Sequence, residues 1–326
     1  MRKHWKPALS IGFVSFLAPF VGAWAFAYFV LHWSGDASKI AGIALSTTSV
    51  AVVYAVMVET GLNKEGLGKL ILAACFVTDL GTVLALGVMF AHYNGWLALF
   101  LGVSAVVLLV ASSLTERFLK RFEGQVSEPE IKLLLLMLFG LGGLAALANS
   151  EAVLPAYLLG LAVAGAFSRH KETMRHIRIA TFALLTPFYF LKAGALVHFG
   201  AVTAGIGVIA MLLGVKLVAK FVGVFPLTKL FRMDRRTGGY TTLLMSTGLT
   251  FGTISAMFGL SRNLVTASQY SALVTVVIAS AVVPTLIAQR HFRPKISAMQ
   301  FQAEDEAMTL SETNNGTKNA AHADKE

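Results

Sequence analysis

The stretch GLGKLILAACFVTDLGTVLALGVMF, residues 66–90, is apolar along nearly all of its length and carries one acid near its centre, Asp79. At ~1.5 Å of rise per residue, a helix of this length is long enough to cross a bilayer. An acid at the centre of a membrane helix costs roughly 2.5 to 3.5 kcal/mol, so it is normally retained for a partner, a water-filled path or a bound ion. We therefore expect Asp79 to be the residue around which the chain is organised.

The composition is that of a membrane protein. Of the 326 residues, 56% are hydrophobic and 13% are charged, and the mean hydropathy is +0.70. A soluble domain carries about twice that share of charge. The single cysteine, Cys75, lies in an apolar segment, which excludes a disulfide framework and a paired-cysteine metal site. We expect no cofactor.

Ten apolar segments are predicted to span the membrane: 8–32, 38–58, 67–91, 95–114, 131–149, 153–168, 179–197, 200–228, 238–260 and 264–289. The joining loops alternate in charge, with 20 basic residues on one side and two, Lys39 and Arg262, on the other. Basic loops remain in the cytoplasm, so both termini are predicted to be cytoplasmic in a multi-pass protein of a bacterial inner membrane. This topology explains the net charge of +10 without a nucleic-acid partner.

The second and ninth segments contain polar runs where a lipid-facing helix would be apolar. Residues 46–49 read STTS, with Thr47, Thr48 and Ser49, and residues 246–255 read STGLTFGTIS, with Thr247 and Thr250. Matched interruptions in the middle members of segments 1–3 and 8–10 predict an inverted repeat with two broken, crossing helices. The alternative is that small residues at these positions allow close helix packing, and the two interpretations are compatible.

Asp79 has candidate partners at a similar depth. Oxygen ligands suit hard cations, so Asp79, Thr78, Thr48 and nearby carbonyls are predicted to hold Na⁺, Li⁺ or K⁺. Lys220 lies near the middle of the eighth segment and is expected to pair with Asp79. Removing a carboxylate from water disfavours its charged form, so one acid can exchange a proton for a cation. The alternatives for Asp79 are a helix-packing hydrogen bond or an ion pair with Lys220 that never opens.

Two other lysines lie within predicted segments. Lys192 is close to the outer end of the seventh segment, where its ammonium group could extend to the interface. Lys216 lies one helical turn from Lys220, and the sequence assigns it no role. An intramembrane aspartyl protease would need two membrane carboxylates. The segments offer one, so the sequence does not favour an enzyme.

Five stretches together resemble the bacterial monovalent cation:proton antiporters, a family that includes sodium/proton exchangers and potassium efflux antiporters. They are ALSTTSVAVVYAVMVETGL at 44–62, GKLILAACFVTDLGTVLAL at 68–86, TPFYFLKAGALV at 186–197, KLVAKFVG at 216–223 and STGLTFGTISAMFG at 246–259. The resemblance implies a homodimeric secondary transporter whose core of crossing broken helices moves against a dimerisation scaffold. It further implies that Asp79 is the ion-binding aspartate, that Lys220 is a charge-compensating lysine, and that Thr48 and Ser49 lie at the broken helix.

The sequence departs from this family in two ways. Thr78 precedes Asp79 where electrogenic members have a second aspartate, and this leaves the stoichiometry open. The helices that usually precede the one at 8–32 are absent, so residues 1–300 are predicted to be an antiporter domain lacking the first helices. The alternative to exchange of Na⁺ or K⁺ for protons is a transport-incompetent truncated paralogue or regulatory membrane subunit. Residues 301–326 are polar and are predicted to form a disordered cytoplasmic tail.

Overall fold

The computed structural model describes residues 5–90, 95–122, 125, 127–148, 150 and 152–294, and the tail predicted at 301–326 lies outside them. Every regular element among the described residues is helical, which confirms the predicted all-α fold. The first seven helices are α1 (Trp5–Ala25), α2 (Gly35–Ser46), α3 (Val50–Thr60), α4 (Gly66–Met89), α5 (Gly95–Phe122), α6 (Pro129–Leu147) and α7 (Val153–Arg169). The other seven are α8 (Lys171–Ala180), α9 (Thr186–Ala195), α10 (Phe199–Ala204), α11 (Ile206–Leu230), α12 (Arg235–Met245), α13 (Thr250–Ser261) and α14 (Ala267–Ile287).

Within the described residues, eight helical stretches are long and apolar enough to cross a membrane. They correspond to predicted segments 1–5 and 8–10: Trp5–Val30, Gly35–Thr60, Gly66–Met89, Gly95–Phe122, Pro129–Leu147, Ile206–Leu230, Arg235–Ser261 and Ala267–Phe292. The chain is therefore a polytopic membrane protein.

The structure differs from the prediction in the seventh and eighth segments. The segment predicted at 179–197 belongs to a helical run that begins earlier, because the basic helix α8 continues through a π-helical turn, Thr181–Leu185, into α9. The segment predicted at 200–228 is divided at Gly205 into the short α10 and the long α11. The segment predicted at 153–168 is α7, whose apolar part is shorter than the eight long stretches.

Two spans are interrupted in their middles. The first break separates α2 from α3, where Thr47 is extended (φ −63°, ψ 153°) and the Ser49 hydroxyl caps α3 by accepting from the Val52 amide. The second break separates α12 from α13 and ends at Leu249 (φ −154°, ψ −77°). Serine and threonine favour helix ends because their hydroxyls bond nearby backbone groups. Both breaks therefore fall where the sequence places its hydroxyl runs.

The helices pack into two groups. Helix α1 contacts α2, α4 and α11, while α11 contacts α12 and α14, and α13 closes the group against α2. Helices α5, α6 and α7 pack together around a separate apolar cluster. We call α1–α4 with α11–α14 the core group, and α5–α7 the side group.

Within the core group, two apolar clusters are stacked with a polar layer between them. One cluster contains Ala23 of α1, Leu86 of α4 and Leu212 of α11. The other contains residues from the opposite ends of the same helices, including Ile71 and Val224. Each long helix places its polar side chains between these two clusters. The layer therefore lies near the middle of the spans, where an ion-binding site would be shielded from both surfaces.

Candidate functional site

The polar layer collects buried side chains from every long helix of the core group and from both breaks. Its members share near-complete burial: Ser15 on α1, Thr47, Thr48 and Ser49 at the first break, Thr78 and Asp79 on α4, Lys216 and Lys220 on α11, Ser246 and Thr247 at the second break, and Ser280 on α14. Buried polar groups are costly in an apolar core unless they are bonded. Such a concentration is therefore a candidate functional site.

Asp79 lies at the centre of α4 and is 3% exposed. Its Oδ1 atom has no hydrogen-bond partner among the described residues. Leaving a buried acceptor unbonded costs about 1 to 3 kcal/mol, and more when it carries charge. Within the described residues, Asp79 Oδ1 therefore makes no hydrogen bond that would hold two helices together.

Lys220 is fully buried on α11. Its Nζ donates to Ser15 Oγ on α1 (2.8 Å) and to Thr48 Oγ1 at the first break (3.0 Å). The expected direct ion pair with Asp79 is therefore wrong for this structure, in which the two hydroxyls hold the ammonium group instead. Ser15, which accepts from Lys220, lies one helical turn after Gly12, whose carbonyl is 3.5 Å from the hydroxyl of Thr78, the neighbour of Asp79.

The two breaks contact each other directly. The Ser49 amide donates to the Thr247 carbonyl (3.1 Å) and the Thr48 hydroxyl donates to the Met245 carbonyl (2.8 Å). The hydroxyls of Thr47 and Thr247 instead donate within their own helices, to Ala44 and Leu244. Broken helices leave carbonyls without helical partners, and here hydroxyls and amides of the opposite break satisfy part of them.

The remaining predicted site residues are Thr78 and Thr250. Thr78 donates to the Ala74 carbonyl one turn earlier in α4 (2.9 Å), and the Gly12 carbonyl of α1 is 3.5 Å away. Thr250 begins α13 and is half-buried. No hydrogen bond joins Asp79 to Thr48 or Thr78 within the described part of the chain. The structure thus brings Thr48 to Lys220 rather than to the acid.

Lys216 is the second fully buried lysine of α11. Its Nζ donates to Ser280 Oγ of α14 (2.8 Å). A Cβ added to Gly248 in the second break would overlap this ammonium group and lie 3.0 Å from Thr47 Oγ1. The glycine therefore makes room for the lysine beside the break.

Sequence reasoning missed three members of the site region. Ser15 and Ser280 accept hydrogen bonds from the two buried lysines. Neither stands out in the sequence, because each of their segments contains other hydroxyl residues. Tyr157 of α7 donates to the Phe76 carbonyl, three residues before Asp79 (3.2 Å), and its ring meets Phe251 of α13 edge-on with centroids 6.0 Å apart. Tyr157 therefore links the side group to both α4 and α13.

Two cavities lie near α13. One of about 300 Å³ reaches Leu249 at the second break and is lined by Phe190, Ala193, Gly194, Thr253, Val274 and Ile278. The other, of about 500 Å³, is lined by Lys192 and Tyr189 together with the C-terminal half of α13. Lys192 was expected to extend to the interface, and the structure places it at this cavity.

The described residues contain no group of three or more His, Cys, Asp or Glu side chains that could hold a metal ion. A cation at Asp79 would therefore be bound by one carboxylate with hydroxyl and carbonyl oxygens. Such oxygen ligands suit alkali-metal cations rather than transition metals.

Comparison with known proteins agrees with this chemistry. The chain is 24% identical over 319 residues to the Na⁺/H⁺ antiporter of Enterococcus hirae, covering 91% of this chain and 80% of the relative. It is 23% identical over 310 residues to the probable Na⁺/H⁺ antiporter 3 of Methanocaldococcus jannaschii, covering 90% and 78%. A putative Na⁺/H⁺ antiporter of Bacillus subtilis is 25% identical over 255 residues, which cover 74% of this chain and 41% of that protein.

The family model described as the transmembrane sodium/hydrogen exchanger matches residues 1–292. This match includes the core group, both breaks and Asp79. The chain therefore belongs to the sodium/hydrogen exchanger family of membrane transporters.

Proposed function

We propose that this protein exchanges a monovalent cation, Na⁺ or K⁺, for protons across the membrane, and that Asp79 is the group for which the two compete. The observation that carries the proposal is the buried Oδ1 of Asp79, which has no hydrogen-bond partner among the described residues and lies in a polar layer between two apolar clusters. Family membership supports the exchange of sodium for protons.

The proposed exchange requires one carboxylate, Asp79, and the polar groups around it. An ionised Asp79 binds the cation with help from nearby hydroxyl and carbonyl oxygens, and a protonated Asp79 cannot. Lys220 supplies a positive charge that favours the ionised acid when the cation is absent. Because hydroxyls hold the Lys220 ammonium, the acid is left open to either ligand.

Alternating access follows from the two helical groups. We propose that the core group moves against the side group, so that the polar layer faces one side of the membrane and then the other. The contact of Tyr157 with α4 and α13 lies at the boundary that would slide. The cavity that reaches Leu249 is a candidate route to the layer. We further propose a homodimer in a bacterial inner membrane, with cytoplasmic termini.

Exchange measured in vesicles tests the proposal. Protein reconstituted in vesicles with a pH gradient should collapse the gradient when Na⁺ or K⁺ is added, and Asp79→Asn should abolish this response. Asp36→Asn is the matched control, because Asp36 is exposed and pairs only with Lys39 at the start of α2. Equal exchange by wild type and Asp79→Asn would overturn the proposal.

The single acid also bears on stoichiometry. One cation exchanged for one proton moves no net charge, so the rate would not respond to membrane potential. If Lys220 also releases a transported proton, each turnover moves a charge worth about 2.3 kcal/mol per 100 mV. The exchange rate measured at a series of imposed potentials separates the two cases.

A further inference from the structure

Helix α8 is a short basic helix between α7 and the π-helical turn that leads into α9. Its sequence, KETMRHIRIA, follows Arg169 and His170 directly. Arg169 donates to Glu116 near the end of α5 (2.9 Å), and His176 Nδ1 lies 2.7 Å from Glu128 just before α6. The first contact holds the end of α7 against α5, and the second holds α8 against the start of α6.

A cavity of about 320 Å³ lies between the end of α7 and this helix. One part of its wall is polar and is formed by Ser168, Arg175 and Arg178. The other part is apolar and is formed by Phe167, Met174 and Ile179. The cavity lining therefore offers both guanidinium groups and apolar surface to the same ligand.

The two arginines are unusual among the basic residues around α8. They are three residues apart, so they share one face of the helix. No ion pair occupies either of them in the described residues, whereas Arg169 and His176 both have acidic partners. Guanidinium groups suit phosphate oxygens because they present several donors in a planar fork.

The apolar wall continues along the exposed surface of the next elements of the chain. Beyond Ile179 the chain exposes Phe182, Leu185 and Phe188 along the π-helical turn and α9. A run of exposed hydrophobic side chains on a membrane protein is suited to contact with lipid acyl chains. A ligand whose phosphate meets the arginines would therefore lay its hydrocarbon along this surface.

We propose that the cavity between α7 and α8 binds the headgroup of an anionic phospholipid, with the phosphate on Arg175 and Arg178 and an acyl chain against Phe167, Met174 and Ile179. Basic residues at the membrane surface attract anionic lipids in general. The cavity gives the lipid headgroup one defined binding position, and its apolar wall favours a lipid over a free phosphate ion. Nothing in this proposal depends on Asp79 or on the exchange reaction.

Thermal unfolding of the purified full-length protein in detergent tests the site. Phosphatidylglycerol added to wild type should raise the melting temperature in a saturable way, and phosphatidylcholine should not. In Arg175→Gln/Arg178→Gln the half-saturating concentration should rise by about thirtyfold, since each basic residue near an anionic surface contributes about fivefold. The matched control is Arg235→Gln/Arg236→Gln, which removes the same charge from two exposed arginines at the start of α12.

Any one of three results would overturn the proposed lipid site. The first is an unchanged half-saturating concentration in the Arg175/Arg178 variant, and the second is an equal rise in the Arg235/Arg236 control. The third is equal stabilisation by inorganic phosphate alone, which would identify a simple anion site. The melting temperature without lipid shows whether each variant is folded, because all four side chains are exposed.

Discussion

The two halves of the core group have the same architecture and opposite chemistry. In the first half, α1 and α4 flank the interrupted pair α2–α3, and in the second half α11 and α14 flank the interrupted pair α12–α13. The first half contributes the acid, Asp79, and the second contributes two ammonium groups, Lys216 and Lys220. An ion site with both signs of charge arises only where the halves meet.

The two lysines differ in what they join. Lys220 donates across the halves, to Ser15 of α1 and Thr48 of the first break. Lys216 donates within its own half, to Ser280 of α14. Lys220 therefore joins the two halves, whereas Lys216 lies beside Gly248 of the second break and bonds within the second half. Substitutions of Lys220 and Gly248 test this division, and a substitution at the start of α12 tests the capping of the second interrupted helix.

Replacing the lysine that crosses the halves should have the largest effect. In Lys220→Met the ionised form of Asp79 loses its neighbouring positive charge, so we expect exchange to fall at least about tenfold, or ~1.4 kcal/mol. The melting temperature should also fall, because the buried Ser15 and Thr48 hydroxyls lose their donor. Exchange and melting temperature are both measured.

The control for Lys220→Met is Val222→Met, which places the same side chain on the exposed face of the same helix. It should leave both measurements unchanged. A Lys220→Met protein that exchanges like wild type would show that the crossing contact is structural only.

Filling the second break should have an intermediate effect. The methyl group of Gly248→Ala would displace the Lys216 ammonium group from its place beside Ser280 and Thr47. Overfilling a packed site costs about 1 to 3 kcal/mol, so the melting temperature should drop. Gly214→Ala on α11 is the control, because its added Cβ would meet no atom within 4 Å. Equal melting temperatures for the two variants would contradict the role given to Lys216.

Substitution of Asp234, which caps the start of α12, should have the smallest effect on stability. The size of this effect depends on pH. Hydrogen bonds from the Thr237 side chain and from the Thr237 and Arg236 amides hold the pKa of Asp234 below its ordinary value of 3.8. Its capping contribution is therefore complete above pH 3.8 and is lost as pH falls through the lowered pKa. Asp234→Ala should cost about 1 kcal/mol at neutral pH.

A comparison with the other interrupted helix sharpens this last prediction. Helix α2 is capped by Ser34, whose hydroxyl accepts from the Ala37 amide (3.2 Å) and does not titrate over this range. Asp234→Asn should likewise remove the acid-dependent part of stability while keeping most of the cap. Unfolding curves of wild type and Asp234→Asn at a series of pH values below 5 provide the measurement. Parallel losses in the two proteins would exclude Asp234 as the cause.

Much of the site could be predicted because a membrane makes polar residues conspicuous. Asp79, Lys220 and the hydroxyl runs stand out against apolar surroundings in the sequence, and the structure places Asp79, Lys220, Thr48 and Thr247 in one buried layer. The breaks could be located because serine, threonine and glycine end helices. The all-helical fold follows from the same pattern, since every backbone group in lipid must be bonded within its own segment.

The partners within the layer could not be predicted in the same way. Whether Lys220 meets Asp79 or Ser15 depends on how α1, α4 and α11 are rotated against one another, and hydropathy carries no information on rotation. The link from Tyr157 to Phe76 likewise depends on how the side group docks. The course of residues 171–195 was misjudged because the basic helix α8 is continuous with the apolar α9, so its helical period extends beyond the apolar segment.

Proton release on cation binding tests the central claim most directly. Purified protein in weakly buffered detergent solution is mixed with NaCl or KCl, and the protons released are followed with a pH indicator. If one acid is shared, wild type should release protons in a saturable manner for the cation it transports, and Asp79→Asn should release none. Equal proton release by the two proteins would contradict the account.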